Sequence, residues 1–157
     1  MELTQKETSF LKDLKDQEQI CIQKYTKYSS EASDQQLKTL FSDIGKKEEQ
    51  HLNTINQIMG GTVPSTQSSG GGQQQQQQKT FSPTYKSDNA DPNKQKDCYL
   101  CTDALSTEKH VSSVYNTSVF EFKDTNIRNT LNHIQKEEQE HGEQIYNYMS
   151  QNGMYGS

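Results

Sequence analysis

The stretches Lys47-Glu48-Glu49-Gln50-His51 and Glu137-Glu138-Gln139-Glu140-His141 decide how this chain is read. Each holds a Glu-x-x-His pair, Glu48 with His51 and Glu138 with His141. Each pair follows a lone glutamate thirty residues upstream, Glu18 and Glu108. The second set stands at a constant interval of 90 residues from the first (108−18, 138−48 and 141−51). Glu and His three apart share one face of a helix. Two such pairs and two lone glutamates are the ligand inventory of a two-metal centre inside a four-helix bundle.

Outward from these stretches, apolar residues recur in steps of three and four. The first helix is predicted over about 5–30, opened by the capping box Thr4-Gln5-Lys6-Glu7, with Leu11, Leu14, Glu18, Cys21, Tyr25 and Tyr28 on one face. Ser33-x-x-Gln36 fits a second capping box. The helix after it, about 34–59, carries Leu37, Leu40, Ile44, Glu48, His51, Ile55 and Ile58, and Gly60-Gly61 stops it. Asp91-Pro92 reads as an N-cap with proline at the first helical position. The third helix, about 92–121, then shows Cys101, Ala104, Glu108, Val111 and Tyr115. Asp124 is expected to cap a fourth, about 125–151, with Ile127, Leu131, Ile134, Glu138, His141, Ile145 and Tyr148.

The two halves align without a gap: Tyr25 with Tyr115, Ile44 with Ile134, Ile55 with Ile145, Met59 with Met149. Such a repeat decides the fold. The expectation is an all-α, single-domain four-helix bundle of two repeated hairpins, residues 4–60 and 92–152, joined by a crossover linker over 61–91. In an antiparallel hairpin, residues equidistant from the turn sit at equal height. The turn regions around 33 and 123 lie midway between Glu18 and Glu48 and between Glu108 and Glu138. The four glutamates should therefore meet roughly 22 Å from the turns.

Residues 61–91 have another character, with Gly70-Gly71-Gly72, six glutamines at 73–78, and Pro64 and Pro83. Such sequence lacks the apolar content to fold alone. It reads as a flexible tether, with glutamine-driven self-association the alternative.

Of the 157 residues only 28% are hydrophobic and none is Trp, so the core must be a thin stripe between helices. A net charge of −5, with Lys and Arg interleaved among acids, excludes a nucleic-acid partner. No stretch approaches the apolar length of a membrane span. Three cysteines and no apolar N-terminal run point to an intracellular protein without a disulfide framework.

Four inward carboxylates in a narrow core repel one another and resist desolvation. Two divalent cations would balance their charge, and without them some carboxylates should hold protons. Mixed oxygen and nitrogen ligands suit iron or manganese, with zinc also admissible. Glu137 could share the inner face, but its repeat equivalent is Lys47, so the repeat selects Glu138. Tyr25 and Tyr115, two turns beyond Glu18 and Glu108, read as redox-active or hydrogen-bonding neighbours of the metals, or as core aromatics with a partnered hydroxyl. Cys98-x-x-Cys101 has no second pair to complete a tetrahedral site. Cys101 aligns with Leu11 and should fill a core slot. His110 and His133 align with Ile20 and Asp43 and are expected at the surface.

The paired Glu and Glu-x-x-His helices resemble the ferritin-like superfamily, and residues 97–155 resemble the Coat F family of bacterial spore coat proteins. The second likeness rests on the last helix and its exit, Glu143-Gln144-Ile145-Tyr146-Asn147-Tyr148-Met149-Ser150-Gln151-Asn152-Gly153-Met154-Tyr155. The first implies a carboxylate-bridged dimetal centre, foremost two iron ions, on Glu18, Glu48, His51, Glu108, Glu138 and His141. Oxidation of iron or consumption of peroxide would follow, with Tyr25 and Tyr115 as redox neighbours. The second implies a spore coat location and assembly with other coat proteins or with itself. It also opens an alternative: a purely structural coat component without metal-dependent activity. The chain lacks the rubredoxin-like cysteine module of rubrerythrins, and no fifth helix is expected after 151, which argues against a ferritin cage.

Overall fold

The computed structural model describes residues 1–64, 79–85 and 89–155. The glycine and glutamine runs, and with them that part of the tether reading, lie outside the described residues. Four helices make up the fold: α1 (Gln5–Glu31), α2 (Gln35–Met59), α3 (Pro92–Val119) and α4 (Thr125–Gln151).

The helix starts follow from side-chain acceptors that satisfy otherwise unpaired N–H groups. Thr4 and Glu7 form the predicted capping box, Thr4 N–H donating to Glu7 Oε2 at 2.8 Å and Glu7 N–H to Thr4 Oγ1 at 3.1 Å. Asp91 and Asp124 cap α3 and α4, and Pro92 opens α3. At α2 the expected cap moves by one residue. Asp34, with extended backbone, is the cap in place of Ser33 and accepts from Gln36 N–H at 3.1 Å. A carboxylate is the stronger acceptor, and Ser33 turns its hydroxyl to Asn93 Oδ1 instead, at 3.2 Å. Gly61 ends α2 with φ +86, a conformation few other residues adopt.

The predicted stripes are buried, apart from Tyr28, which is half-buried. α1 packs on α2 and α3 on α4, and the hairpins meet through α1 against α3 and α2 against α4. Gly45 of α2 lets α1 come close: a Cβ there would lie 3.3 Å from Tyr25 Cβ.

Between hairpins, Tyr25 reaches Glu108 while Tyr115 reaches Glu18, so α1 and α3 run antiparallel. The start of α3 therefore lies beside the α1–α2 turn, where Ser33 and Asp34 N–H donate to Asp97 at 2.8 and 2.9 Å. The end of α2 lies at the other end, near Met1. The end of α2 and the start of α3 consequently lie at opposite ends of the bundle. Residues 79–85 of the connection between them are tied to the helices. Thr84 and Tyr85 N–H donate to Asn152 Oδ1, Tyr85 Oη donates to Asp97, and Phe81 packs edge-on to Tyr148.

Candidate metal centre

Glu18, Glu48, Glu108 and Glu138 are 0–2% exposed, and His51 and His141 are nearly as enclosed. All six come from the middle of their helices, at the heights the repeat predicts. They form two overlapping groups: Glu18, Glu48, His51 and Glu138, and Glu48, Glu108, Glu138 and His141. Within each group, one ligand-capable atom per residue lies within 4.8 Å of the others. Glu48 and Glu138 belong to both groups; Glu18 and Glu108 each belong to one.

The geometry repeats across a pseudo-twofold axis. His51 Nδ1 lies 2.9 Å from Glu138, 3.4 Å from Glu48 and 3.7 Å from Glu18. His141 Nδ1 lies 2.9 Å from Glu48, 3.4 Å from Glu138 and 3.7 Å from Glu108. Each imidazole thus comes nearest to the glutamate of the opposite hairpin. The rings face one another with centroids 5.9 Å apart. Both present Nδ1 to the carboxylates.

The tyrosines bind the lone glutamates crosswise: Tyr25 Oη donates to Glu108 and Tyr115 Oη to Glu18. Burial, reinforced by those carboxylates, raises both phenols well above their ordinary range. They are neutral donors that hold the lone carboxylates in place.

The cluster shares protons because it cannot hold four bare charges. Burial, with Glu48 alongside, raises Glu18 well above the carboxylate range. Burial, with Glu108 and Glu48 beside it, likewise raises Glu138 against the pull of His141. Burial also opposes charge on Glu48, but His141 and His51 outweigh it and hold Glu48 well below the usual range. Burial disfavours an imidazolium at His51, yet Glu137, Glu48 and Glu18 push it up to about 10. His141 is raised in the same way, by Glu108, Glu138 and Glu48.

These protons leave the polar atoms poorly served. Among the described residues, the buried side-chain atoms without a hydrogen-bond partner are Oε2 of Glu18, Glu108 and Glu138, both oxygens of Glu48, Nε2 of His51 and Nδ1 of His141. Every one belongs to the six. Native cores rarely leave such atoms unpaired, and here all but Nε2 of His51, which faces Glu137, are gathered where two cations would meet hard oxygen and imidazole donors. The residues fit a pair of divalent ions.

Cys101 is buried in the core and Cys98 half-buried beside it, its thiol facing Met154 O at 3.9 Å. Burial, with Asp97 near, pushes the Cys101 thiol up, so it is inert at neutral pH. His110 is exposed. His133 is 64% exposed and meets Glu137 Oε1 at 2.9 Å. Glu137 stands outside both groups, 3.5 Å from His51 Nε2 and 3.1 Å from Lys47 Nζ.

Two supporting roles are not evident from local sequence, that of Asp97 and a second one of the capping residue Glu7. Glu7 Oε1 accepts from Lys123 N–H at 3.1 Å, and Asp97 takes the N–H groups of Ser33 and Asp34. Each clamps the turn of the other hairpin and so fixes the height at which the glutamates meet. Residues 7 and 97 stand at the same 90-residue interval as the ligands, as do 33 and 123, and that signal was available.

The fold and site together define a four-helix bundle of two like hairpins with a carboxylate–imidazole cluster across their shared axis. The profile of the Coat F domain family matches residues 96–157, which span nearly all of the second hairpin and the tail after it. That part of the chain is similar to the Coat F domain. No curated protein and no solved structure matches the chain. No helix among the described residues is long and apolar enough to cross a membrane.

Proposed function

We propose that this chain is a ferritin-like spore coat protein that binds two divalent cations, iron foremost, with manganese or zinc as other occupants. Oxidation of iron or consumption of peroxide is the activity it would carry. The observation that carries the reading is that, among the described residues, the buried side-chain N and O atoms without a partner all belong to Glu18, Glu48, His51, Glu108, Glu138 and His141. The likeness of residues 96–157 to the Coat F domain supports the spore coat as the place.

Glu48 and Glu138 belong to both groups and would contribute to both cation positions; Glu18 and Glu108 would serve one position each. Two iron ions would bring positive charge, Lewis acidity and the electrons that reduce dioxygen or peroxide. The chain's own contribution is placement. Tyr25 and Tyr115 fix the lone carboxylates by donating to them, and they stand close enough to exchange an electron or proton with the centre. Apolar layers flank the cluster on both sides, Leu14 and Ile55 on one and Ile44 and Ile145 on the other. Cations entering the cluster would displace protons from the carboxylates and imidazoles that would hold them.

A second role belongs to the surface. The exposed aromatics Tyr99, Phe120, Tyr146 and Tyr155 all fall within the part that resembles the Coat F domain. This favours assembly with other coat proteins or with itself, which a purely structural component would share.

The test is anaerobic loading with ferrous iron, elemental analysis, and then exposure to oxygen or peroxide while near-ultraviolet charge-transfer absorption is followed. About two irons per chain, lost in Glu48→Ala with His51→Ala, is the expected result. A correctly folded protein that retains no metal would leave the purely structural role.

A further inference from the structure

The repeat that places six ligands symmetrically fails next to them, at Lys47 and Glu137. These residues occupy equivalent positions in the two halves, and they pair with each other across the axis, Nζ to Oε2 at 3.1 Å. Their neighbours one turn earlier differ as well, Asp43 in the first half and His133 in the second. The surroundings of the two imidazoles therefore differ although their inner contacts match.

His51 presents Nδ1 to three carboxylates, so Nε2 faces outward, where Glu137 Oε1 lies 3.5 Å away. An imidazole that gives Nδ1 to a cation keeps its proton on Nε2. Nε2 forms no hydrogen bond at that distance; a carboxylate on that side would accept the Nε2 proton once Nδ1 holds a cation, fixing the ring and strengthening it as a ligand. Glu137 is itself held, by Lys47 on one oxygen and His133 on the other. For His141, among the described residues, the carboxylates within 4.0 Å are Glu48, Glu108 and Glu138, all inner ones. The residue in the place of an outer carboxylate is Lys47. The His141 ring instead borders a cleft of about 140 Å³ between α2 and α4, rimmed by Asp43, Lys47, Lys79 and Glu140, with Glu137 on its wall. Lys79, from the connecting segment, closes its edge through Asp43 at 3.1 Å.

We infer that Glu137 is a positioning residue for His51 and makes the two cation positions unequal. The position built on Glu18 and His51 retains its ion, while the one built on Glu108 and His141 exchanges its ion through the α2–α4 cleft. This inference rests on the two-cation reading above and adds to it an order of release and the residue that sets it.

The experiment uses the full chain loaded anaerobically with cobalt(II), whose visible absorption reports coordination, and follows removal by excess chelator. Two equivalents should leave in two phases, with His141→Ala deleting the fast phase and His51→Ala the slow one. Glu137→Ala and the isosteric Glu137→Gln should each weaken the slow equivalent by about 10–100-fold while the fast one stays within about twofold. Circular dichroism checks that the variants remain helical. Exchanging the two residues, Lys47→Glu with Glu137→Lys, should transfer the slow phase to His141, which mere structural damage would not do. Two equivalents that leave together, or a slow phase indifferent to both Glu137 variants, would overturn the inference and leave the two-cation reading standing. A folded protein that holds no cobalt overturns both.

Discussion

Leu11 and Leu14 of α1 stand where Cys101 and Ala104 stand in α3, and all four are fully buried. The candidate ligands one or two turns away are instead identical in type in both halves. The halves thus share a frame and a site but not the packing around it. Volume can be redistributed among neighbours as long as the core stays filled. Six groups that must converge at fixed heights leave no such freedom. The ends of the bundle differ further. Tyr148 and Asn152 of the second hairpin receive Asp34 and the 79–85 segment, where the first hairpin has Ile58 and Thr62. One end is therefore latched by the connecting segment. At the other, Glu7 holds Lys123 N–H.

The comparison is broken most severely at the shared glutamates. Glu48→Ala and Glu138→Ala should each abolish retention of both cations, whereas Glu18→Ala or Glu108→Ala should spare one; metal analysis after gel filtration decides this. In the intact protein, cation at a hundredfold excess over Kd should stabilise the fold by about 2.7 kcal/mol for each site filled. Calorimetry should show that gain vanish in the first pair of variants. Next in size, Leu14→Ala should cost about 2–5 kcal/mol through the cavity it leaves. Filling the equivalent position, Ala104→Leu, should cost about 1–3 kcal/mol by overpacking. Urea titration of both variants tests whether the halves differ in volume as described.

Smaller effects separate the two turn clamps. Asp97→Ala leaves two backbone donors and the Tyr85 hydroxyl without their acceptor, and should cost about 3 kcal/mol. Glu7→Ala removes one capping bond and one bond to the opposite turn, and should cost about 1 kcal/mol. The Thr4 and Lys123 backbone N–H groups hold the Glu7 carboxyl below its usual value of 4.5 against a small cost of burial. A carboxyl lowered by folding contributes fully above its unfolded value and loses that contribution as pH falls through the folded one. The stability gap between wild type and Glu7→Gln should therefore hold at neutral pH and close below about pH 4. A gap that is unchanged at low pH would show that the charge on Glu7 contributes nothing.

Much of this was readable from spacing. The four helices fall within two residues of their expected ends, and Thr4, Asp91 and Asp124 cap where the sequence places them. The exceptions are informative. Ser33 and Asp34 are both good N-caps, and only the demand of Asp97 for both of their N–H groups settles which one turns inward. Glu137 reads as a rejected ligand because its equivalent is Lys47, and its place behind His51 emerges only when α2 and α4 are side by side. Segment 79–85 carries too few apolar residues to signal packing. It is held by polar contacts from Gln36, Asp97 and Asn152, which no local pattern encodes.

The sequence by itself determined a duplicated helical hairpin and six polar residues on its inner stripes. Helical periodicity and the 90-residue interval are properties of the chain alone. Only the tertiary structure decided which hairpin each glutamate and imidazole would face, and that the tyrosines cross to the opposite lone carboxylate. It likewise decided that the two imidazoles have different surroundings. Those outcomes depend on contacts between helices far apart in the chain, where burial and geometry, rather than spacing, choose the partner.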